Sequence, residues 1–222
     1  AKPVFISQVK SDSRAKVAMN ILREHGYFDA KVKSSVTTLK KDSLKAKVSY
    51  TVDMASPYHY DSIIPLPIST FPDSILAYRQ TPSLIRKGDQ FNLAKLHEER
   101  QTISALLRDN GYYYFRPQDI IYEADTLLVG GAVCLRAKLS EDTPPQAMRP
   151  WRIGKRTAVL LGMNGESPTD SLEVEDMKVL YYREMPVRPK ILAKRFRFFP
   201  GNLYRQKDDE TTRKSLARLG AF

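Results

Sequence analysis

The chain has 222 residues, 42% of them hydrophobic and 27% charged, a balance that builds packed cores and excludes a disordered tail. Its 36 Lys and Arg against 25 Asp and Glu leave a formal charge of +11, which directs attention to acidic partners: nucleic acid, anionic lipid or an acidic protein face. The single cysteine, Cys134, excludes an internal disulfide framework and any multi-cysteine zinc or iron–sulfur site; no window approaches the ~20 apolar residues of a membrane span, and Ala1-Lys2-Pro3 has no signal-peptide layout, so a soluble piece is expected.

In chain order, the first signal is a helix ending at Ile21-Leu22-Arg23-Glu24-His25-Gly26-Tyr27-Phe28. A glycine there takes the left-handed conformation that stops a helix, and the aromatic beyond it folds back on the last apolar turn. The apolar period then changes from helical to alternating. Val32, Ser34 and Val36 lead into Lys40-Lys41-Asp42-Ser43, after which Ala46, Val48, Tyr50 and Val52 alternate with polar residues, a β-hairpin. A strand over about 58–68, a short helix over about 73–78 and the loop Lys87-Gly88-Asp89-Gln90-Phe91 come next. The following helix has Leu96, Ile103 and Leu107 on one face and Asn92 as its cap. It ends on Leu106-Leu107-Arg108-Asp109-Asn110-Gly111-Tyr112-Tyr113, the same pattern as the first.

Behind it lies a second hairpin. Ile120 to Ala124 and a turn around Gly130-Gly131 precede Val133, Leu135, Ala137 and Leu139 on one face, with Cys134, Arg136 and Lys138 on the other. Cys134 reads as a small strand residue, because no His or second Cys lies near it in sequence. Thr143-Pro144-Pro145 marks a linker. Beyond it the spacing predicts a strand from Trp151 to Leu161, a polar excursion from Asn164 to Asp176, a strand from Met177 to Arg183 and a short helix from Pro189 to Phe196. The loop Pro200-Gly201-Asn202-Leu203-Tyr204 then repeats the earlier one before a long helix from Gln206 to Leu219. Asp208, Asp209 and Glu210 open that helix and Arg213, Lys214 and Arg218 close it, as the macrodipole prefers. Its end, Leu216-Ala217-Arg218-Leu219-Gly220-Ala221-Phe222, is the third glycine-and-aromatic cap, and such internal repetition decides architecture.

A Gly-x-x-[Phe/Tyr] loop before a second helix that itself ends in Leu-x-x-x-Gly and an aromatic resembles the POTRA domain. Gly88-Asp89-Gln90-Phe91 with Leu107 to Tyr113 carries the likeness, as does Gly201-Asn202-Leu203-Tyr204 with Leu216 to Phe222. Asn110 to Phe115, Tyr122 to Thr126 and Leu216 to Phe222 look especially like the BamA/TamA-type outer-membrane assembly factors of Bacteroidetes-like bacteria. The resemblance implies an α+β class of tandem β-α-α-β-β units, each a three-stranded mixed sheet with two helices on one face. Residues 1–55 then read as the C-terminal part of one POTRA domain, 56–145 as a complete one, and 146–222 as the N-terminal part of a further one with an insertion around 163–176, stopping before its closing hairpin. In this family a C-terminal β-barrel in the outer membrane would follow.

What the resemblance implies for function is a periplasmic interaction region, neither enzyme nor cofactor carrier, that receives unfolded outer-membrane clients and periplasmic or lipoprotein accessory subunits. An extended client segment can add to a sheet edge by backbone hydrogen bonds. The candidate edge runs through Gln118, Ile120, Ile121, Tyr122 and Glu123. The other reading of the same residues is an ordinary edge strand covered by its neighbour. A receptor of a two-partner secretion or translocation pore is the alternative on the same fold.

The charge is unevenly spread: residues 146–222 hold 16 basic and nine acidic residues. Arg188, Lys190, Lys194, Arg195 and Arg197 interleave with Phe196, Phe198 and Phe199. That mixture is compatible with a nucleic-acid surface, the second alternative. The preferred reading puts the phenylalanines in the core and turns the cations toward a nearby anionic membrane, with no nucleic-acid partner. Catalytic patterns are missing: His25, His59 and His97 fall in different elements, Ser7, Ser11 and Ser13 have no nearby base, and Glu98-Glu99 reads as a solvated helix face. No metal or cofactor site is expected.

Overall fold

The computed structural model describes residues 5–39, 42–66 and 83–219. The short helix expected near 73–78, the Lys40-Lys41 turn and the third glycine cap at Gly220 lie outside them. The chain divides into two compact units, one of Ala1–Pro67, Pro82–Glu99 and Ile120–Lys138, the other of Ile68–Thr81, Arg100–Asp119 and Leu139–Phe222.

In the first unit, α1 (Ile6–Val9) and α2 (Ser11–Glu24) lead to an antiparallel hairpin of β1 (Lys31–Leu39) and β2 (Asp42–Asp53). The register sets Val32 opposite Val52 and Val36 opposite Val48, so the alternating apolar residues share one face. The Ser34 hydroxyl donates to Asp12 of α2 at 2.5 Å. Val32 is buried, whereas Val36 and Val52 stay about half exposed.

The same unit holds a mixed sheet of order β3-β5-β4, formed by β3 (His59–Ile64), β4 (Ile120–Asp125) and β5 (Ala132–Leu139). The last strand is central, and β3 runs parallel to it with Ile63 opposite Leu135. Val133, Leu135 and Ala137 are buried. Val133 and Leu135 pack with Tyr60, Ile85, Phe91 and Leu96. Each such side chain removed from water is worth about 1.5–3 kcal/mol, which is why the alternation of β5 fixes its facing. Leu96 belongs to α3 (Leu93–Asp109), and Asn92 caps that helix as expected: its Oδ1 accepts the N–H groups of Ala94 at 2.9 Å and Lys95 at 3.3 Å.

The second unit carries a sheet of order β6-β8-β7, with β6 (Arg156–Leu160) parallel and β7 (Asp170–Val174) antiparallel to the central β8 (Met177–Tyr181). Ala158, Leu160, Met177 and Val179 form its core together with Leu192 and Ala193 of α4 (Pro189–Ala193), and Leu216 of α5 (Gln206–Ala217) packs on it. Two details differ from the sequence reading. The polar stretch 164–176 holds β7, because Leu172 and Val174 reach the core and the chain reverses through Glu175 at φ 55°. The strand expected from Trp151 starts only at Arg156, since Trp151 to Ile153 bond elsewhere. The three strands of this sheet all precede α4 and α5 in the chain.

Candidate functional site

The glycine caps are sockets as well as helix ends. At the end of α2, Gly26 lies at φ +89°, and its N–H donates to Arg23 O while that of Tyr27 donates to Leu22 O, both at 2.9 Å, the paired bonds of a Schellman cap. The Gly26 carbonyl in turn accepts the N–H of Tyr58 at 2.8 Å, and the N–H of Phe91 donates to Tyr58 O at 2.9 Å. Gln90 Nε2 closes the joint on His25 O at 2.7 Å. A Cβ on Gly26 would come within 3.1 Å of Phe91 Cβ. Phe28 meets the rings of Tyr58 and Phe91 at 5.2 and 5.1 Å. The Tyr58 hydroxyl donates to Asp29 at 3.0 Å, and that bond to a carboxylate holds its pKa above the ordinary tyrosine value.

The second joint repeats the backbone bonds of the first. Gly111, at φ +100°, accepts the N–H of Trp151 at 2.8 Å, and the N–H of Tyr204 donates to Trp151 O at 2.9 Å. The loops match too: Gly88 N–H donates to Tyr60 O at 2.7 Å and Gly201 N–H to Ile153 O at 2.8 Å. Trp151 and Arg152 thus stand where Tyr58 and His59 stand in the first joint, and Tyr204 where Phe91 does. Added contacts distinguish this joint. Arg108 Nη2 donates to the Tyr204 hydroxyl at 3.2 Å, and Asp109 accepts the Lys207 N–H at 3.0 Å while pairing with its ammonium at 3.1 Å. Burial raises the Tyr204 pKa, with Arg108 opposing it. Tyr113, Tyr114, Trp151 and Tyr204 meet edge to face, and the Arg149 guanidinium lies 4.4 Å from the Trp151 ring centroid.

The edge residues separate by role. β4 is an outer strand of its sheet, and the strand starts at Ile120. Gln118 is not in it: it sits exposed in the 3-10 turn Pro117–Asp119, where buried Asp119 accepts the Arg116 N–H at 2.7 Å and fixes the turn. Ile120 is fully buried, so it anchors the strand. Ile121 and Tyr122 are half-buried, and exposed Glu123 pairs with Lys138.

Of the basic residues, Arg188, Lys190, Lys194 and Arg197 are exposed and Arg195 is half-buried, while Phe196 packs on the core of the second unit. Phe199 stays 45% exposed, and Arg156 lies 4.8 Å from its ring centroid. Arg156 itself, which sequence reasoning passed over, is buried against Asp176 and donates to Phe198 O at 3.2 Å.

Glu99 is the clearest correction. It is 4% exposed rather than solvated. Its two carboxylate oxygens accept the Ser83 hydroxyl at 3.0 Å and the Leu84 N–H at 3.1 Å, fastening the loop before α3. Among the described residues no cluster of His, Cys, Asp and Glu could hold a metal, and no helix is long and apolar enough to cross a membrane.

No protein-family model matches the sequence, and no curated protein matches it. Solved structures do. POTRA domains 3–5 of Haemophilus influenzae BamA superpose with a TM-score of 0.52 at 15% identity, over 95% of this chain and 70% of that one. Haemophilus ducreyi BamA lacking POTRA domains 1–3 gives 0.38 at 15%, over 63% and 24%. The N-terminal domain of Omp85 from the cyanobacterium Thermosynechococcus elongatus gives 0.28 at 15%, over 94% and 72%. The first of these spans nearly the whole chain, and with the mixed three-stranded sheets and the repeated glycine joints it identifies the fold as that of tandem POTRA domains of the BamA type.

Proposed function

We propose that the chain is a periplasmic, non-enzymatic region of an outer-membrane protein assembly factor, whose repeats hold extended client segments or accessory subunits by strand addition. The observation that carries this reading is β4, an edge strand anchored by fully buried Ile120 and ending in exposed Glu123, Ala124 and Asp125. An edge of this kind is normally blunted. Strand addition draws its affinity from backbone hydrogen bonds, so it tolerates many client sequences. That is the property an assembly factor needs, and the likeness to BamA POTRA domains supports it. On the same reading, residues 56–145 are a complete repeat and 1–55 and 146–222 are parts of its neighbours. The exposed cations Arg188, Lys190, Lys194 and Arg197 face an anionic membrane surface.

The test is site-specific crosslinking of unfolded outer-membrane clients to β4. Ile121→Pro removes one backbone N–H of β4 at a half-buried position and leaves fully buried Ile120 in place, so crosslinking should fall while the circular dichroism spectrum is kept. Unchanged crosslinking in a folded variant overturns the reading.

A further inference from the structure

The first strands of the two three-stranded sheets, β3 and β6, both lie at an edge, and the two edges differ. That of β3 is covered. The loop before α3 lies along it: the Tyr60 N–H donates to Asp89 O at 2.9 Å, the Gly88 N–H donates to Tyr60 O at 2.7 Å, and Lys87 pairs with Asp61 at 3.4 Å. Pro65 and Pro67 follow the strand in sequence and offer no N–H. Cover, charge and proline are the ordinary means of blunting an edge.

On β6 these means are missing past Arg156, whose own inward charge is paired with Asp176. The matching loop bonds earlier, at Ile153, which donates to Asn202 O and accepts the Gly201 N–H, both at 2.8 Å, so the strand runs on beyond its cover. Among the described residues the outer row of backbone groups from Thr157 to Leu160 has no backbone partner. Residues 157–163 contain neither charge nor proline. Val159 is 53% and Leu161 60% exposed, Met163 is fully exposed, and half-buried Leu180 of β8 lies opposite Val159. An aliphatic edge left open in this way is a template for a further strand.

The charges at the two ends of β6 choose that strand. Exposed Lys155 stands immediately before it. Glu166 stands at its far end: its carbonyl accepts the Gly162 N–H at 2.9 Å, and a Cβ on Gly162 would run into its carboxylate. Along the chain the edge is therefore positive, then uncharged and aliphatic, then negative. Two copies laid antiparallel about a two-fold axis at Val159 set Thr157 against Leu161 and bring Lys155 of each copy to Glu166 of the other. Parallel pairing would set like charges side by side. An arbitrary extended segment has no such order of charge, and in a chain of +11 an edge on which a second copy meets attraction at both ends is a specific feature.

We propose that two copies of the chain associate through β6, paired antiparallel, joining their sheets into one of strand order β7-β8-β6-β6-β8-β7. The contact uses a different sheet from client binding at β4 and does not depend on it.

Sedimentation velocity of the 222-residue chain over a concentration series tests this. The chain should pass from monomer to dimer and stop there, because the pairing uses up the edge. Val159→Lys, which sets two cations against each other at the axis, should weaken the dimer by about tenfold or more. Lys155→Glu and Glu166→Lys should each weaken it about tenfold when alone, since each turns two attractions into repulsions. An equimolar mixture of those two variants should dimerise again, as each supplies the charges the other lacks; misfolded variants could not do this. The proposal is overturned by a chain that stays monomeric at about 0.1 mM, by a dimer indifferent to Val159→Lys or to the single charge reversals, or by a mixture that fails to recover. Oligomers that grow past the dimer, or a monomer whose β6 crosslinks an unfolded outer-membrane client, overturn it equally.

Discussion

Gly26 and Gly111 do two things that no other glycine among the described residues does together. Each takes a left-handed φ that closes a helix, and each brings its backbone so close to a later segment of the chain that a Cβ would meet Phe91 at 3.1 Å or Pro150 at 3.0 Å. Gly88 and Gly201 have positive φ as well, +86° and +83°, but a Cβ there would meet nothing within 4 Å. The two classes separate conformational cost from steric cost. Alanine at Gly88 or Gly201 should cost about 1–2 kcal/mol, the penalty of the left-handed region for a residue with a side chain. Alanine at Gly26 or Gly111 should cost more, since overpacking adds about 1–3 kcal/mol. Urea unfolding of the four single variants tests the order; equal losses would mean that the joints yield to the extra methyl group and are not close-fitting sockets.

Among the elements, α3 shows why one part of the fold was legible and another was not. Its cap at Asn92, its buried Leu96 and Leu107 and its glycine end could all be read from spacing, because each is a local device. Glu99 could not: its burial depends on Ser83 and Leu84, 16 and 15 residues earlier in the chain. Strands divide in the same way. Central β5 advertised itself by alternation because one of its faces is fully buried, whereas the edge strand β7 has Asp170, Ser171 and Glu173 exposed and reads as a polar loop. Gln118 was misplaced for a related reason, since its neighbour Asp119 turns inward to close the 3-10 turn and the strand starts only at Ile120. The joint residues were seen only as loop and cap motifs, because their bonding partners lie far along the chain. Glu99 therefore supplies a test at this scale. Glu99→Ala leaves the Leu84 N–H and the Ser83 hydroxyl without the carboxylate, at a cost of about 1–3 kcal/mol, and hydrogen exchange should show the loss first at residues 83–85. Exchange that quickens uniformly over the chain, or not at all, would deny the carboxylate its role as a loop fastener.

For the molecule as a whole, the charge of +11 divides unevenly in a way that composition concealed. Residues 146–185, which contain the β6-β8-β7 sheet, hold six basic and six acidic residues, and 186–222, which contain α4 and α5, hold ten basic and three acidic. All the excess of this part of the chain therefore lies in its helical stretch, whose apolar residues Leu192, Ala193, Phe196 and Leu216 are turned to the core. Arg188, Lys190, Lys194 and Arg197 are left outward, a surface that suits a diffuse layer of negative charge; of Phe196, Phe198 and Phe199 only Phe199 is exposed, whereas base-stacking recognition uses several exposed aromatics in succession. If the membrane reading is right, the protein should sediment with phosphatidylglycerol vesicles and not with phosphatidylcholine ones, and should come off as salt rises to about 0.5 M, where the screening length shrinks to a few ångströms. Replacing those four cations by glutamate should abolish sedimentation while the fold is kept, because none of them is buried. Vesicle binding that survives high salt, or survives the four replacements, would show that apolar insertion or another face is responsible, and tight salt-sensitive binding to single-stranded RNA in place of vesicles would restore the nucleic-acid reading of this surface.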